Sequence, residues 1–242
     1  MYNVSVFFYY ICFMITTVKD RAFNAINLKQ FDNINNLDVV GKHELVCPHD
    51  DQYILRMLIK KAYGDVMLPD ELEWIRPMVE QVLHYQTNVL GVNHMYLYAT
   101  VRHGIVRSQT DDVWHVDGFS TKITHIPEQN YIISNVFPTE YVEKAFPFPN
   151  DFDPLKHNVH MYFQDRIEDS DIKLAEPHTI YCMDPYVVHR RPDVPDNIVR
   201  TFVRLSFTPI EIMDDNNTPN PFIPVEKYNR DGVIIRNTLI KY

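Results

Sequence analysis

A chain of 242 residues that is 45% hydrophobic can bury a sizeable core, which excludes a disordered polypeptide and fits one domain or a domain with a modest extension. Its 23 Lys and Arg against 32 Asp and Glu leave a formal charge of -9, poor electrostatics for holding a phosphate backbone, so non-specific nucleic-acid binding is disfavoured. Cys12, Cys47 and Cys182 are too few and too scattered for a disulfide framework or a thiolate zinc cage, which points to a reducing, cytoplasmic setting, and the 6 Gly form no phosphate-binding loop.

Residues Val4 to Val18 form an uncharged, mostly apolar run, shorter than the roughly 20 residues that cross a bilayer as a helix. No basic side chain precedes it, as a signal peptide would require, so a membrane role is disfavoured and the run reads as a buried first strand or an over-long start before Met14. Ile54, Leu55, Leu58, Ile59 and Ala62 recur at helical spacing and predict a helix over Asp51–Tyr63, capped by Asp50 or Asp51 and stopped by Gly64. A second helix follows Leu68-Pro69-Asp70-Glu71, with Leu72, Ile75, Val79, Val82 and Leu83 on one face and Pro77 bending or dividing it. Beyond Gly91 the pattern changes to short runs rich in Tyr, Val, Ile and Thr. Strands are predicted at His94–Val106, Trp114–Phe119, Tyr131–Val136, His157–Gln164, His178–Met183 and Arg200–Thr208. The fold class is therefore mainly β with N-terminal helices. Residues 1–91 form a strand and helical support region and 92–242 a β-rich core, within a single structural domain.

The 11 His are candidate metal ligands. Composition alone predicts about 1.5 His-x-acid matches, and two occur. His49-Asp50-Asp51 lies where an Asp is better explained as a helix cap. In Trp114-His115-Val116-Asp117-Gly118 an extended backbone with period two places His115 and Asp117 on one face and Trp114 and Val116 on the other. A third ligand is sought among the later histidines. His189 follows a strand, turn and strand from Tyr181, and the strand after it points Arg200, Phe202, Arg204 and Ser206 to one face. A guanidinium on an inward strand face is costly unless an anion meets it. His125, His157, His160 and His178 lie in the same region, but none is followed at a suitable distance by an arginine-bearing strand.

The order His115-x-Asp117, then His189, then Arg200 or Arg204 on a strand resembles the Fe(II)- and 2-oxoglutarate-dependent dioxygenase superfamily, over roughly residues 92–209. The resemblance implies a double-stranded β-helix, a jelly-roll or cupin-like barrel of two antiparallel sheets. It implies His115, Asp117 and His189 as the Fe(II) ligands and catalytic centre, with 2-oxoglutarate as cosubstrate, O2 as co-reactant, and succinate and CO2 released as the substrate is hydroxylated. It also implies a strand arginine pairing with the 5-carboxylate of 2-oxoglutarate. Arg200, eleven residues after His189, is preferred; Arg204 of Arg204-x-Ser206 is the rival, and the one left over is available to a substrate anion. A carboxylate at Asp117 argues against halogenation. Tyr96, Tyr98, Asn135 and Thr139 flank the ligands and are further contacts for cosubstrate or substrate, although core or surface roles are favoured for each. Trp114 packs away from the metal.

The alternative is a cupin-like metal-binding barrel acting as an isomerase or hydrolase, or a non-catalytic binding module; neither needs the arginine strand. Fold and motif are common to many substrates. The second arginine favours a small polar or amino-acid-like substrate. Pro219–Tyr242 is expected to pack as a strand or lid, or to assist a homodimer.

Overall fold

A computed structural model describes residues 27–91, 95–105, 113–117, 128–153, 156–195, 197–209, 211–212 and 217–224. The run Val4–Val18, Cys12 and His125 lie outside these residues. Nine strands are described: β1 (Leu37–Lys42), β2 (Tyr53–Lys60), β3 (Tyr96–Ile105), β4 (Gln129–Ser134), β5 (Glu140–Val142), β6 (Ile172–Leu174), β7 (Thr179–Met183), β8 (Val188–Arg190) and β9 (Val199–Thr208). They form a six-stranded sheet in the order β1-β7-β4-β9-β3-β2 and a three-stranded sheet in the order β6-β5-β8, with antiparallel pairing throughout both. The protein is thus mainly antiparallel β with few helices.

The pairings of the later strands are nested. β5 pairs with β6, β4 with β7, His115 with His189 in an isolated antiparallel bridge, and β3 with β9. The chain therefore runs out from β3 to β5 and returns alongside itself from β6 to β9. On each arm the segments alternate between the large and small sheets, and the turn from β5 to β6 stays within the small one.

One face of the large sheet carries Leu55, Met57, Ile59, Leu97, Ala99, Val101, Tyr131, Ile133, Val203, Leu205 and Phe207 against a helical layer. That layer begins as a 3-10 helix, Asp70–Ile75, and continues as α1 (Arg76–Asn88). Pro77 sits in the first turn of α1, where its missing N–H costs no hydrogen bond, and so divides the two, as the sequence predicts. Leu72, Ile75, Met78, Val79 and Val82 are each at most 1% exposed, and each such side chain contributes on the order of 1.5–3 kcal/mol by leaving water.

Two predicted elements are corrected. The helix expected over Asp51–Tyr63 is the strand β2, paired with β3 from Tyr53↔His103 to Lys60↔Leu97. Both of its faces are covered: Leu55, Met57 and Ile59 join the core under α1, while Leu58 packs with Tyr98 and Ile223 on the other. Apolar residues on both faces of a strand imitate a helical spacing. Conversely, the strand expected over His157–Gln164 is the short helix α2 (Val159–Gln164). The Asn158 side chain accepts from the N–H groups of His160 and Met161 and caps it, and Val159, Tyr162 and Phe163 are buried at i, i+3 and i+4. In the N-terminal third, β1 and β2 supply both edges of the large sheet. At the other end, Asn220 Nδ2 donates to the carbonyls of Leu58 and Met67 and Ile223 is buried against Leu58 and Tyr98, so the chain packs beside β2 as far as Pro224. Residues 225–242 lie outside the described part.

Candidate metal centre

The face of the large sheet away from α1 looks toward the small sheet. Along β9 it carries Arg200, Phe202, Arg204 and Ser206, as predicted, because Val203, Leu205 and Phe207 take the opposite face into the core. Register places like-facing neighbours beside them. Ser206 lies between Tyr98 and Asn130, and Arg204 between Thr100 and Ile132.

The segment Val113–Asp117 crosses to the small sheet. It forms a single bridge rather than the strand expected over Trp114–Phe119; Phe119 lies outside the described residues. The expected alternation still holds. Trp114 and Val116 are 1% and 2% exposed, locked in a cluster with Phe31, Phe146, Val159, Phe163 and Val188. Arg190 covers the Trp114 ring at 4.4 Å and pairs with Glu140 at 2.6 Å. This anchor turns His115 and Asp117 the other way, toward His189 on β8.

His115, Asp117 and His189 converge, each offering one ligand atom, with all three atoms within 4.8 Å of one another. His189 Nε2 is 3.8 Å from Asp117 Oδ2, and the two imidazole centroids are 4.5 Å apart. His115 Nδ1 lies 2.8 Å from the Val113 carbonyl and His189 Nδ1 2.9 Å from the Val187 carbonyl. A carbonyl only accepts, so both Nδ1 atoms carry the proton and both Nε2 lone pairs remain for a ligand.

Asp117 is held at both oxygens. Arg204 donates to Oδ1 at 2.9 Å and Asn130 Nδ2 donates to Oδ2 at 2.7 Å, while Ser206 Oγ donates to Asn130 Oδ1 at 2.5 Å. Burial pushes the Asp117 carboxyl up, but Arg204, His189 and His115 outweigh it and hold the group well below the usual carboxylate range. Burial first, then the neighbouring His115, lowers the His189 pKa to about 4. At neutral pH the group is one carboxylate and a neutral imidazole at His189, the protonation states that metal ligation requires.

The donor set fits a divalent ion. Ligand atoms about 2.1 Å from one ion in cis positions lie about 3 Å apart, so the 3.8 Å separation closes with a side-chain adjustment of under about 1 Å. The widest separation in the triad, up to 4.8 Å, needs an adjustment of about 2 Å. Each carboxylate oxygen accepts more than one partner, so the Arg204 and Asn130 contacts leave lone pairs for metal.

The other predicted site residues fall into different places. Arg200 is not at the triad but four residues back along β9, about 13 Å of strand. It is 3% exposed, and its Nε donates to the carbonyls of Val136 at 3.3 Å and Phe137 at 2.9 Å; Phe137 adopts a left-handed φ of 44° there. Burial, then the positive charges of Arg191 and Arg102, lower its pKa to about 10. Asn135 brackets the strand end instead, its Oδ1 accepting from the Thr201 N–H at 2.8 Å. The Tyr98 hydroxyl is tied to Ile212, accepting from its N–H and donating to its carbonyl. Tyr96 packs beside Tyr98 in the same cluster, and the Thr139 carbonyl accepts from Ala175 N–H. His160 is outside the triad, its ring 6.5 Å from that of His115. Asn130 was missed by sequence reasoning; its signal was its place across the sheet from Ser206, which pairing alone reveals.

No helix among the described residues is long and apolar enough to cross a membrane. No protein-family profile and no curated protein sequence matches the chain. Among solved structures it is similar to AviO1 from Streptomyces viridochromogenes Tue57, at 13% identity over 80% of this chain and 96% of that one with a TM-score of 0.37, and to EvdMO1, at 12% identity over 75% and 49% of the two chains with a TM-score of 0.39.

Proposed function

We propose that the protein is an Fe(II)- and 2-oxoglutarate-dependent oxygenase that hydroxylates a small polar substrate. The observation that carries this reading is the meeting of two Nε2-presenting histidines and one carboxylate at His115, Asp117 and His189, on an interior that also holds a buried arginine. Three protein ligands on one side of an ion leave cis positions open, the donor pattern of non-haem iron oxygenases rather than of closed structural zinc sites. The nested strand pairing supports a double-stranded β-helix, since a long hairpin wound across two sheets would pair in that order.

Bound Fe(II) with 2-oxoglutarate supplies oxidative decarboxylation to succinate and CO2, coupled to hydroxylation of the substrate. The chain's part is to position and to shield. His115, His189 and Asp117 present the ligand atoms, with Asn130 and Arg204 fixing the carboxylate. Arg200 is the partner for the distal carboxylate of the cosubstrate: it is buried, oriented by two carbonyls, and the neighbouring charges that act on it are positive, so an anion is what its position lacks. Phe202 and Tyr141 pack against the cluster that holds Ile132 on the same interior and lend it apolar walls.

The test is succinate formation from 2-oxoglutarate and O2 by protein reconstituted with Fe(II) under anaerobic conditions. Metal-dependent succinate that disappears in His115→Ala supports the reading. Absence of both 2-oxoglutarate binding and metal-dependent turnover would sink it.

A further inference from the structure

A second set of polar side chains faces the same interior. Arg56 on β2, Thr100 on β3 and Arg204 on β9 are register partners, Arg56↔Thr100 and Thr100↔Arg204, and so stand in one row on one face. Directly opposed residues are about 5 Å apart at Cβ. Arg204 reaches Asp117 at 2.9 Å, and at the other end Arg56 reaches Glu128 at 3.1 Å through one terminal nitrogen.

Two buried donors in this row have nothing to donate to. Thr100 is 5% exposed and its buried hydroxyl has no hydrogen-bond partner; the buried Nε–H of Arg56 has none either. A buried polar group without a partner is rare in a native protein and costly to keep. Two of them on adjacent register partners, flanked by two permanent cations, lack the same thing, an acceptor bearing negative charge. The anion that meets Arg200 does not fill this place, because the row is about 13 Å along β9 from Arg200. It is instead beside Asp117, within the reach of a molecule bound at the triad.

We propose that Arg56, Thr100 and Arg204 form an oxyanion subsite that holds a carboxylate or phosphate of the substrate next to the metal centre. This rests on the reading that Arg200 takes the cosubstrate, and it narrows the substrate from polar to anionic. A divalent ion at Asp117 shares the carboxylate that Arg204 now engages, which makes the row more electropositive when the centre is loaded and couples anion binding to metal binding.

The experiment uses the full chain loaded with Mn(II), with and without 2-oxoglutarate, and titrates inorganic phosphate and, separately, acetate. Calorimetry reads affinity, and enhanced 31P relaxation by Mn(II) reads proximity to the metal. Saturable binding near Mn(II) is expected, weakened about tenfold by Thr100→Val and by Arg56→Lys, which keeps the charge opposite Glu128 but removes the Nε donor. The 2-oxoglutarate affinity should change less than twofold in both variants. The melting temperature of Thr100→Val should hold or rise, since an unpartnered hydroxyl is removed. Binding of neither anion, or equal binding by the variants, overturns the proposal. So does a parallel loss of 2-oxoglutarate affinity, which would assign the row to the cosubstrate. If the wild type binds no 2-oxoglutarate yet phosphate binding is lost in the variants, the subsite stands and the oxygenase reading falls.

Discussion

His115 and His189 exchange both of their backbone hydrogen bonds, each N–H donating to the other's carbonyl at 3.0 and 2.9 Å. The two imidazoles are thus fixed relative to one another by the main chain, and each is oriented again through Nδ1 by the carbonyl two residues before it. Ligand geometry that is set by the backbone does not depend on the metal for its assembly. Replacing either histidine by alanine should therefore remove metal binding without unfolding the chain, with circular dichroism and a Mn(II) titration as the paired measurements. Loss of fold in both variants would contradict it.

Asn130 acts on the metal through Asp117. Its amide is oriented by Ser206 and holds one carboxylate oxygen, so Asn130→Ala should weaken divalent metal affinity by about 10–100-fold. Ser206→Ala, one bond further out, should have a smaller effect in the same direction. A calorimetric titration with Mn(II) that finds no change in Asn130→Ala would show that Asp117 is positioned by other means.

Arg204 should matter most when no metal is present. Arg204→Met leaves the Asp117 charge buried without its guanidinium, a loss of about 3 kcal/mol in the metal-free protein. A divalent ion replaces the missing positive charge, so saturating Mn(II) should return more stability to the variant than it adds to the wild type. Denaturant unfolding with and without Mn(II) reads the difference; equal increments would contradict the prediction.

The metal-free protein should weaken as pH is lowered through the range of His189. Its pKa is about 4 in the folded chain against the ordinary 6.5, so between these values the unfolded chain binds the extra proton. Stability therefore falls from about pH 6.5 toward pH 4, with a slope of at most about 1.4 kcal/mol per unit from this group, and is unaffected by it above that window. Asp117 adds a further loss at lower pH, beginning as pH falls through its ordinary value of 3.8, where the unfolded chain takes up a proton that the depressed carboxyl of the folded chain does not. Urea unfolding of wild type and His189→Gln at pH 7, 5.5 and 4.5 should show the steeper fall in the wild type. Parallel curves would mean that His189 titrates normally.

Arg200 should separate cosubstrate from metal. Arg200→Met is expected to lower 2-oxoglutarate affinity by about 100-fold while leaving Mn(II) affinity unchanged, because it removes the charge-assisted contact proposed for the cosubstrate, about 13 Å along β9 from Arg204 and its link to Asp117. Equal loss of both would place Arg200 in the folding of the centre instead.

Much of the candidate centre was legible because strand alternation is a local property. His115 and Asp117 alternate with Trp114 and Val116, and Arg200 and Arg204 alternate with Val203 and Leu205, so period two sorted ligands from core in each case. What failed was the type of element where both faces are buried or where capping decides. β2 reads as a helix because Ile54, Leu55, Leu58 and Ile59 fill two faces of a strand, and α2 reads as a strand because Tyr, Val and Phe outweigh a single Asn cap. Long-range pairing was invisible. Nothing near Asn130 or Thr100 in sequence indicates that β9 brings one to Asp117 and the other beside Arg204.

The central claim, that His115, Asp117 and His189 are the ligands of one iron ion, is tested most directly by anomalous diffraction at the iron edge from crystals grown anaerobically with Fe(II). One anomalous peak per chain is predicted, about 2.1 Å from His115 Nε2, His189 Nε2 and an Asp117 oxygen, with the remaining positions open to solvent or cosubstrate. No peak at the triad, or a peak closed off by a fourth protein ligand, would contradict the account.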